Sequence, residues 1–195
     1  LAPPHLSWYQ LTIEPNTAFA SRPPVLPADD TLWDIQQQGL ALLQHHGYQQ
    51  YEISAYAKPG HQCQHNLNYW RYGDYLGIGC GAHGKITLPG RNTILRTVKI
   101  KHPKGYMDIS RGYLDSKEQV LAEDRPFEFF MNRFRLLEPC PQADFTAYTG
   151  LPVSSIQLAI DNAVRQQLLH STEQHWQITD KGARYLNDLL TLFID

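Results

Sequence analysis

Cysteine is scarce in this chain of 195 residues, whose three cysteines are Cys63, Cys80 and Cys140. Their odd number and wide spacing exclude a disulfide framework and a zinc ribbon, and sparse cysteine is typical of a reducing compartment. Long hydrophobic runs are also lacking, since no apolar stretch approaches the roughly 20 residues that span a bilayer. Residues 1–4 contain neither Met nor a signal-peptide pattern, so we expect a piece of a longer protein.

An excess of charge of one sign is lacking as well. Lys and Arg total 17 and Asp and Glu total 19, which gives a formal net charge of −2 at pH 7. A nucleic-acid-binding chain would carry a basic excess, so we predict no nucleic-acid partner. Hydrophobic residues make up 42% and charged residues 18%, which excludes a disordered chain and allows one domain or two small ones.

The first part of the chain alternates strand and helix signals. Apolar residues occupy both faces of a strand over 5–13, which is typical of a buried parallel strand. Asp29 and Asp30 favour a helix start, leucines at helical spacing follow, and Gly47 ends that helix. A second strand over 50–56 completes a βαβ unit, for which we expect parallel pairing.

The second part begins with a hairpin and becomes helical from residue 115. Strands over 85–88 and 93–100 flank a Pro-Gly-Arg-Asn turn, which predicts the hairpin. The elements predicted after it are a helix near Pro126, a helix over 143–149 closed by Gly150, a long helix capped by Ser154 or Ser155, a strand over 176–178 and a helix over 179–194 capped by Thr179. This order is typical of a winged-helix module. We therefore predict domains at 1–114 and 115–195.

Two clusters of charged or ligand-type side chains have ordinary alternatives. Glu123, Asp124 and Glu128 surround Arg125, and we expect this cluster to be a solvated face of little energetic weight. His61, Cys63 and His65 alternate, so an extended chain would place all three on one face, as in a zinc or iron site. Because a fourth ligand is not evident, an exposed polar loop is the favoured interpretation.

The string Gly79–Gly84 matches GxGxxG, the pattern of a dinucleotide-binding turn. That pattern requires a following helix, but residues 85–89 are predicted to form a strand, which argues against a Rossmann site. The alternatives are a tight turn at a barrel end and a backbone that approaches a flat ligand closely. The additional Gly77 favours the second alternative.

The string His65-Asn-Leu-Asn-Tyr-Trp70 combines one imidazole with two aromatic side chains. Imidazole is the usual protein ligand of haem iron, and aromatic rings can stack on a porphyrin. The alternative is a helix start, with Asn66 as the cap and Leu67, Tyr69 and Trp70 packed inward. From the chemistry alone the helix start is favoured, because a single histidine is not a haem signature.

This string resembles the HNxxYW motif of the HemW family, radical-SAM haem chaperones related to oxygen-independent coproporphyrinogen III oxidase. The segments 8–15, 47–60, 75–84, 144–150 and 178–182 are similar to that family too. The family's CxxxCxxC motif, which binds a [4Fe–4S] cluster, has no counterpart here. The resemblance therefore implies an α/β chain made of the later βα units of a partial radical-SAM barrel with a hairpin extension, followed by a small winged-helix-like α+β domain.

The resemblance also implies the site residues. The residues implied to bind haem are His65, Asn66, Tyr69 and Trp70, with His65 as the iron ligand. The residues implied to lie beside S-adenosylmethionine are Tyr56, Ala57, Gly79, Gly81 and Ala82. The S-adenosylmethionine and the [4Fe–4S] cluster belong to the full-length parent protein, because the cluster ligands are absent from this chain.

The function implied by the resemblance is a haem-binding chaperone that delivers haem to respiratory haem proteins. The alternative is an oxygen-independent coproporphyrinogen III oxidase, a radical-SAM decarboxylase of porphyrin biosynthesis, and the resemblance favours a carrier over this enzyme. The expected partners are haem, a haem-accepting respiratory enzyme and the N-terminal half of the same protein. A cytoplasmic location is expected, and peripheral membrane association and self-association stay open.

Overall fold

The computed structural model describes residues 2–194, whose contacts divide the chain into one unit that ends at Cys63 and another that begins at Gln64. Each unit is described by itself. Within residues 2–194, every helix is too short or too polar to cross a lipid bilayer.

The first unit contains a three-stranded antiparallel sheet and one long helix. Its elements are β1 (His5–Ser7), α1 (Ala18–Ser21), α2 (Asp29–His45), β2 (Gln49–Glu52) and β3 (Ala55–Ala57). The helix predicted from Asp29 is confirmed, with both aspartates in its first turn, although Ala28 occupies the cap position. Gly39 lets α2 approach the sheet, because a methyl group there would overlap the indole ring of Trp8.

The predicted parallel pairing in this unit is wrong. The chain reverses at residues 53–54, so β3 inserts between β1 and β2 and pairs antiparallel with both, in the order β1-β3-β2. β1 and β2 therefore run in the same direction without being hydrogen-bonded neighbours. The strand predicted over 5–13 is also shorter than expected, since β1 ends at Ser7.

The second unit contains two further three-stranded antiparallel sheets and most of the helices. In chain order its elements are α3 (Gln64–Trp70), β4 (His83–Leu88), β5 (Thr93–Lys99), α4 (Pro103–Tyr106), β6 (Leu114–Gln119), α5 (Arg125–Arg133), β7 (Cys140–Pro141), α6 (Gln142–Thr149), α7 (Gln157–Arg165), β8 (Leu169–Ser171), β9 (His175–Ile178), α8 (Asp180–Arg184) and α9 (Leu186–Thr191). The sheets have the orders β4-β5-β6 and β7-β9-β8.

The predicted hairpin is confirmed, with β4 and β5 in register from His83↔Val98 to Leu88↔Thr93. The helical pattern predicted from residue 115 is wrong at its start, because residues 114–119 form strand β6 and pair with β5. The residue types of β6 are charged or polar after Leu114, so the pairing with β5 rather than local propensity decides its structure. The domain division near residue 115 stays a prediction.

The helices begin and end at the predicted signals, with two differences. Pro126 lies in the first turn of α5, Gly150 ends α6 with a φ of 71°, and the Thr179 side chain caps α8. The long helix predicted after Ser154 or Ser155 instead begins as a 3-10 turn over Val153–Ile156 and continues as α7. The last predicted helix is divided into α8 and α9 at Tyr185.

Aromatic side chains fill the core between these helices and the sheet β7-β9-β8. Phe130 lies at the centre, with its ring centroid 4.2 Å from that of Phe193, 4.6 Å from Phe134 and 5.4 Å from Trp176. All four side chains are buried. This core fixes the position of α5, and α5 also contacts residues of the candidate site.

Candidate functional site

The residues His65–Trp70 lie within the short helix α3, which begins at Gln64. Leu67 is buried, Asn66, Tyr69 and Trp70 are partly buried, and His65 is exposed. The helix places His65 one turn before Tyr69, and their ring centroids are 4.7 Å apart with a tilt of 50° between the planes. The motif therefore presents its imidazole at the surface, in contact with one of its own aromatic rings.

The extended chain that a metal site at His61, Cys63 and His65 would need is not formed, because Gln64 already begins α3. Among residues 2–194 there is no group of three or more His, Cys, Asp or Glu side chains placed to hold a metal ion. The interpretation of this segment as an isolated zinc or iron site has no geometric support.

Tyr69 lies in the middle of a continuous series of contacts between aromatic and charged side chains. Its ring stacks on that of Tyr75 at 4.3 Å, with 29° between the planes. The Tyr75 hydroxyl accepts a hydrogen bond of 3.1 Å from Nη1 of Arg96 on β5. Arg96 in turn donates from Nη2 to Oε2 of Glu128 on α5 at 2.6 Å. We call His65, Tyr69, Tyr75, Arg96 and Glu128 the His65 relay.

The loop between α3 and Tyr75 is held by hydrogen bonds at both ends. The Gly73 amide donates to the Asn68 carbonyl oxygen at 2.8 Å, and the Asn68 side chain donates to the Asp74 carbonyl oxygen at 3.0 Å. The Tyr75 backbone exchanges two hydrogen bonds of 3.0 Å with Lys85 on β4. Tyr75 is therefore fixed to the sheet through its backbone and to Arg96 through its hydroxyl.

A buried lysine holds this loop through hydrogen bonds. Lys85 is only 1% exposed, and its Nζ donates to the Tyr72 carbonyl oxygen, to Asp74 and to Thr87. Burial lowers the pKa of Lys85, while the hydrogen bond and charge of Asp74 limit that change. Three acceptors satisfy all three ammonium protons, so the role of Lys85 is to hold the loop.

The Tyr72 side chain is also buried in this region. Its hydroxyl donates to Oε2 of Glu128 at 2.9 Å, and its ring lies 4.0 Å from Nζ of Lys85. Burial and the charge of Glu128 both raise the pKa of Tyr72. The phenol therefore stays a neutral donor that helps to orient Glu128.

Trp70 completes the motif on α3. The Arg135 guanidinium lies 5.0 Å from its ring, and the buried indole Nε1 has no hydrogen-bond partner within residues 2–194. A buried donor without an acceptor is uncommon in folded proteins. The Trp70 indole N–H is therefore an unsatisfied donor in the structure of residues 2–194.

The glycine string lies in an open loop before β4. Gly79 and Gly81 have φ values of 109° and 69°, and a methyl group at Gly79 would contact nothing within 4 Å. Ala82 accepts a hydrogen bond of 2.8 Å from the Lys99 amide, which ties the loop to the end of β5. Strand β4 begins at His83, so the helix that a Rossmann site requires is absent from the described segment after the string. A close backbone approach to a flat ligand remains compatible with this loop.

The remaining candidate residues, Tyr56 and Ala57, lie on β3, the central strand of the first unit. They are 1% and 3% exposed, and burial raises the pKa of the Tyr56 phenol. Their side chains are therefore enclosed within that unit. Their contact with S-adenosylmethionine stays a prediction.

The cysteines do not form a cluster site within the described chain. Cys80 is exposed, Cys63 is partly buried, and Cys140 is buried in the core of the second unit. Burial raises the pKa of the Cys140 thiol to about 12. Three separated thiols, one of them inert, do not fit a [4Fe–4S] cluster.

The expected solvated face around Arg125 is wrong for Arg125 itself, although Glu123 and Asp124 are exposed. Arg125 is only 3% exposed, and its guanidinium donates to both oxygens of Asn92 and to the Thr149 carbonyl oxygen. Glu128 belongs to the His65 relay instead. The sequence signal for a buried arginine is weak here, because Arg125 precedes a proline at a helix start, where charged residues are usually exposed.

Tyr75 and Arg96 are site residues that the sequence analysis does not identify. One available signal lay in β5, where Arg96 alternates with Ile94 and Val98. An arginine on the apolar face of a strand needs a partner on the element that covers that face. Glu128 of α5 is that partner.

Comparisons with known proteins give a consistent result. Residues 120–185 match the family model described as the HemN C-terminal domain. The whole chain is 64% identical to the heme chaperone HemW of Escherichia coli and 60% identical to that of Haemophilus influenzae, and it covers 50% of each. The protein of the same name from Buchnera aphidicola subsp. Schizaphis graminum is 44% identical over 193 residues, or 99% of this chain and 50% of that protein. The chain thus spans about half the length of these curated relatives.

A solved structure supports the fold. Coproporphyrinogen III oxidase (HemN) from Escherichia coli, described as a radical SAM enzyme, superposes with a TM-score of 0.70 over 98% of this chain and 48% of that protein. The identity is 18%, so this likeness concerns the fold alone. The chain is an α/β chain with small antiparallel sheets, and its fold is similar to that of the part of HemN on which it superposes.

Proposed function

The chain belongs to the HemW family, and from that membership we propose that it binds haem through His65, as part of a chaperone that delivers haem to respiratory haem proteins. The observation that carries the proposal is the exposed His65 on α3, with its ring held against Tyr69. Because the chain spans about half of its relatives, the complete delivery cycle and its acceptor are part of the proposal.

The chemistry of the exposed imidazole suits a haem carrier. A neutral imidazole nitrogen binds haem iron, and the haem is here the cargo rather than a resident cofactor. A carrier has to release its cargo, so a single surface ligand suits transfer better than two histidines enclosed in a core. The exposure of His65 permits an incoming ligand from an acceptor to replace it at the iron.

The other motif residues have distinct proposed roles. The buried indole N–H of Trp70 has no acceptor within residues 2–194, and its proposed role is a hydrogen bond to a polar group of the bound cargo. Tyr69 contacts His65 and Tyr75, so it supports the imidazole. Asn66 lies beside His65 on α3 and stays a predicted haem contact.

The other partners follow from the family and are proposed with it. The full-length parent would contain S-adenosylmethionine and a [4Fe–4S] cluster, with Tyr56, Ala57, Gly79, Gly81 and Ala82 beside the first of these. The N-terminal half and a respiratory haem protein are the proposed macromolecular partners. A cytoplasmic location remains a prediction, and peripheral membrane association stays open.

An optical titration with haemin tests the proposal. The chain is compared with its His65→Ala variant and with His170→Ala, which removes another exposed histidine of the same unit. We expect a saturable Soret shift in the chain and in His170→Ala, and an affinity at least about tenfold weaker in His65→Ala, since a ligand bond to iron is lost.

Each other outcome would contradict the proposal. A shift that survives the His65→Ala substitution would assign the iron ligand to another residue. No shift in any of the three proteins would mean that these residues alone do not form a haem site.

The alternative of coproporphyrinogen oxidation has less support. The likeness to the oxidase is one of fold at 18% identity, whereas the relatives that are 44–64% identical over nearly the whole chain are heme chaperones. Consumption of coproporphyrinogen by the reconstituted full-length protein would favour the oxidase over the carrier.

A further inference from the structure

An exposed imidazole on a short surface helix is not oriented by its backbone alone. Exposed side chains change rotamer on the picosecond to nanosecond timescale, and α3 has only seven residues. An axial bond to iron needs the ring nitrogen to point in one direction. An imidazole that rotates freely therefore binds iron less tightly than one that is held in that orientation. The contact of His65 with Tyr69 is therefore the feature that can restrict the imidazole.

Tyr69 can restrict His65 only if Tyr69 itself is held. Its stacking partner Tyr75 is fixed by two backbone hydrogen bonds to Lys85 and by the hydrogen bond from Arg96. A stacked pair of rings favours one arrangement of the two rings over others. The position of Tyr69 thus depends on a residue outside the HNLNYW string.

Arg96, which lies on β5, is fixed in turn by Glu128 of α5. Its Nε and Nη2 both donate to Oε2 of Glu128, at 3.2 and 2.6 Å, while Nη1 is left for Tyr75. Glu128 also accepts from the buried Tyr72. A planar guanidinium that bonds a carboxylate with one edge presents its remaining N–H in a fixed direction.

We infer that Tyr75 and Arg96 are positioning residues for the haem-binding imidazole, acting on His65 through the ring of Tyr69. This inference rests on the proposed function, because it assigns the relay to the same haem site. The two residues would not touch the cargo. They would raise the fraction of molecules in which the His65 nitrogen is directed for binding.

The haemin titration of the full chain tests the inference with graded variants. Tyr75→Leu removes the ring stack, and Tyr75→Phe keeps the ring but removes the hydroxyl that Arg96 bonds. Tyr185→Phe and Tyr185→Leu are the matched controls, because Tyr185 is an exposed tyrosine of the same unit outside the His65 relay. Affinity, the visible spectrum of the ferric complex and the thermal unfolding midpoint are measured for each.

We expect Tyr75→Leu to weaken haemin binding by about tenfold and to lower the fraction of haem with a histidine-ligated spectrum, which is within the range of a lost aromatic pair. Tyr75→Phe should lie between Tyr75→Leu and the unchanged chain. The spectral fraction distinguishes positioning from stability, since a role in folding alone would lower the unfolding midpoint and leave the ligation of the folded molecules unchanged.

The failures of this inference and of the proposed function are distinguishable. If His65→Ala no longer binds haemin while both Tyr75 variants bind it with unchanged affinity and spectrum, Tyr75 and Arg96 do not position His65. The proposed haem site at His65 is then still supported. If Tyr75→Phe binds haemin as tightly as the unchanged chain but Tyr75→Leu binds more weakly, Arg96 is not a positioning residue. If His65→Ala binds normally, the proposed site and the inference are both wrong.

Discussion

Glu138 is the residue that joins two arginines of the second unit. Its carboxylate accepts two hydrogen bonds from Arg71, of 2.9 and 2.8 Å, and its Oε1 lies 3.1 Å from Nη1 of Arg133. Arg133 is buried, so loss of Glu138 would leave a charge in the interior without its counter-ion. The hydrogen bond from Arg71 is the main cause of a pKa of Glu138 below its usual 4.5.

Replacing Glu138 by glutamine should therefore lower stability in a pH-dependent way. At pH 7 we expect the free energy of unfolding to fall by about 1–3 kcal/mol, the cost of a buried group left without its partner. A carboxyl whose pKa is lowered in the folded state stabilises above its usual pKa, and this contribution disappears as the pH falls through and below 4.5. The difference between the two proteins should shrink over that range.

Urea unfolding at pH 7 and at several lower pH values measures this difference. Glu173→Gln, at an exposed glutamate of the same unit, is the control and should have no comparable effect at any pH. A Glu138→Gln deficit that stays constant from pH 7 to acid would contradict the assigned cause of the low pKa.

Arg125 connects three elements of the second unit. It begins α5, bonds Asn92 in the turn between β4 and β5, and bonds the carbonyl oxygen of Thr149 at the end of α6. A lysine would keep the positive charge but has no planar fork with which to reach several acceptors. The hairpin and two helices are thus joined through one side chain.

The Arg125→Lys variant should unfold more easily. We expect a loss of about 2–3 kcal/mol in the free energy of unfolding, because buried acceptors lose hydrogen bonds to a charged donor. The midpoint of urea unfolding measures it, with the exposed Arg165→Lys as the matched control. Equal midpoints for the two variants would show that the guanidinium geometry is unimportant.

The sequence predicted the elements whose ends carry local signals. Pro126 and Gly150 mark α5 and α6, and the turn before Thr93 marks the hairpin. The insertion of β3 between β1 and β2 was missed, because the reversal at residues 53–54 is an Ile-Ser pair without glycine or proline. Strand β6 was missed because its formation depends on β5.

The candidate site was predicted only where its residues are close in sequence. The string from His65 to Trp70 is contiguous, so both a helix and the family resemblance could be identified from it. The predicted cap was wrong, because α3 begins at Gln64 and Asn66 lies inside the helix. Arg96 and Glu128 are 32 positions apart, and they meet because β5 and α5 pack in the folded unit. Contacts of this kind depend on tertiary structure, which single-sequence patterns do not encode.

At the scale of the whole molecule, the second unit has a cluster of exposed apolar side chains. Leu76 and Ile78 are 75% and 84% exposed. They line a groove of about 370 Å³ with Ile86, Leu95 and Leu114. In an antiparallel sheet with one face on the core, the other face is usually polar. The outer face of β4-β5-β6 departs from that pattern around this groove.

We therefore expect the chain to self-associate and to be poorly soluble by itself, since exposed apolar patches drive association. Sedimentation velocity should give species heavier than the 22.4 kDa monomer, with a fraction that rises with concentration. Replacing Leu76 and Ile78 by serine should shift the chain toward the monomer. Replacing Ile109, which is 90% exposed but outside the groove, should not. A monomeric chain with a sharp thermal transition would mean that the apolar groove tolerates water without a partner.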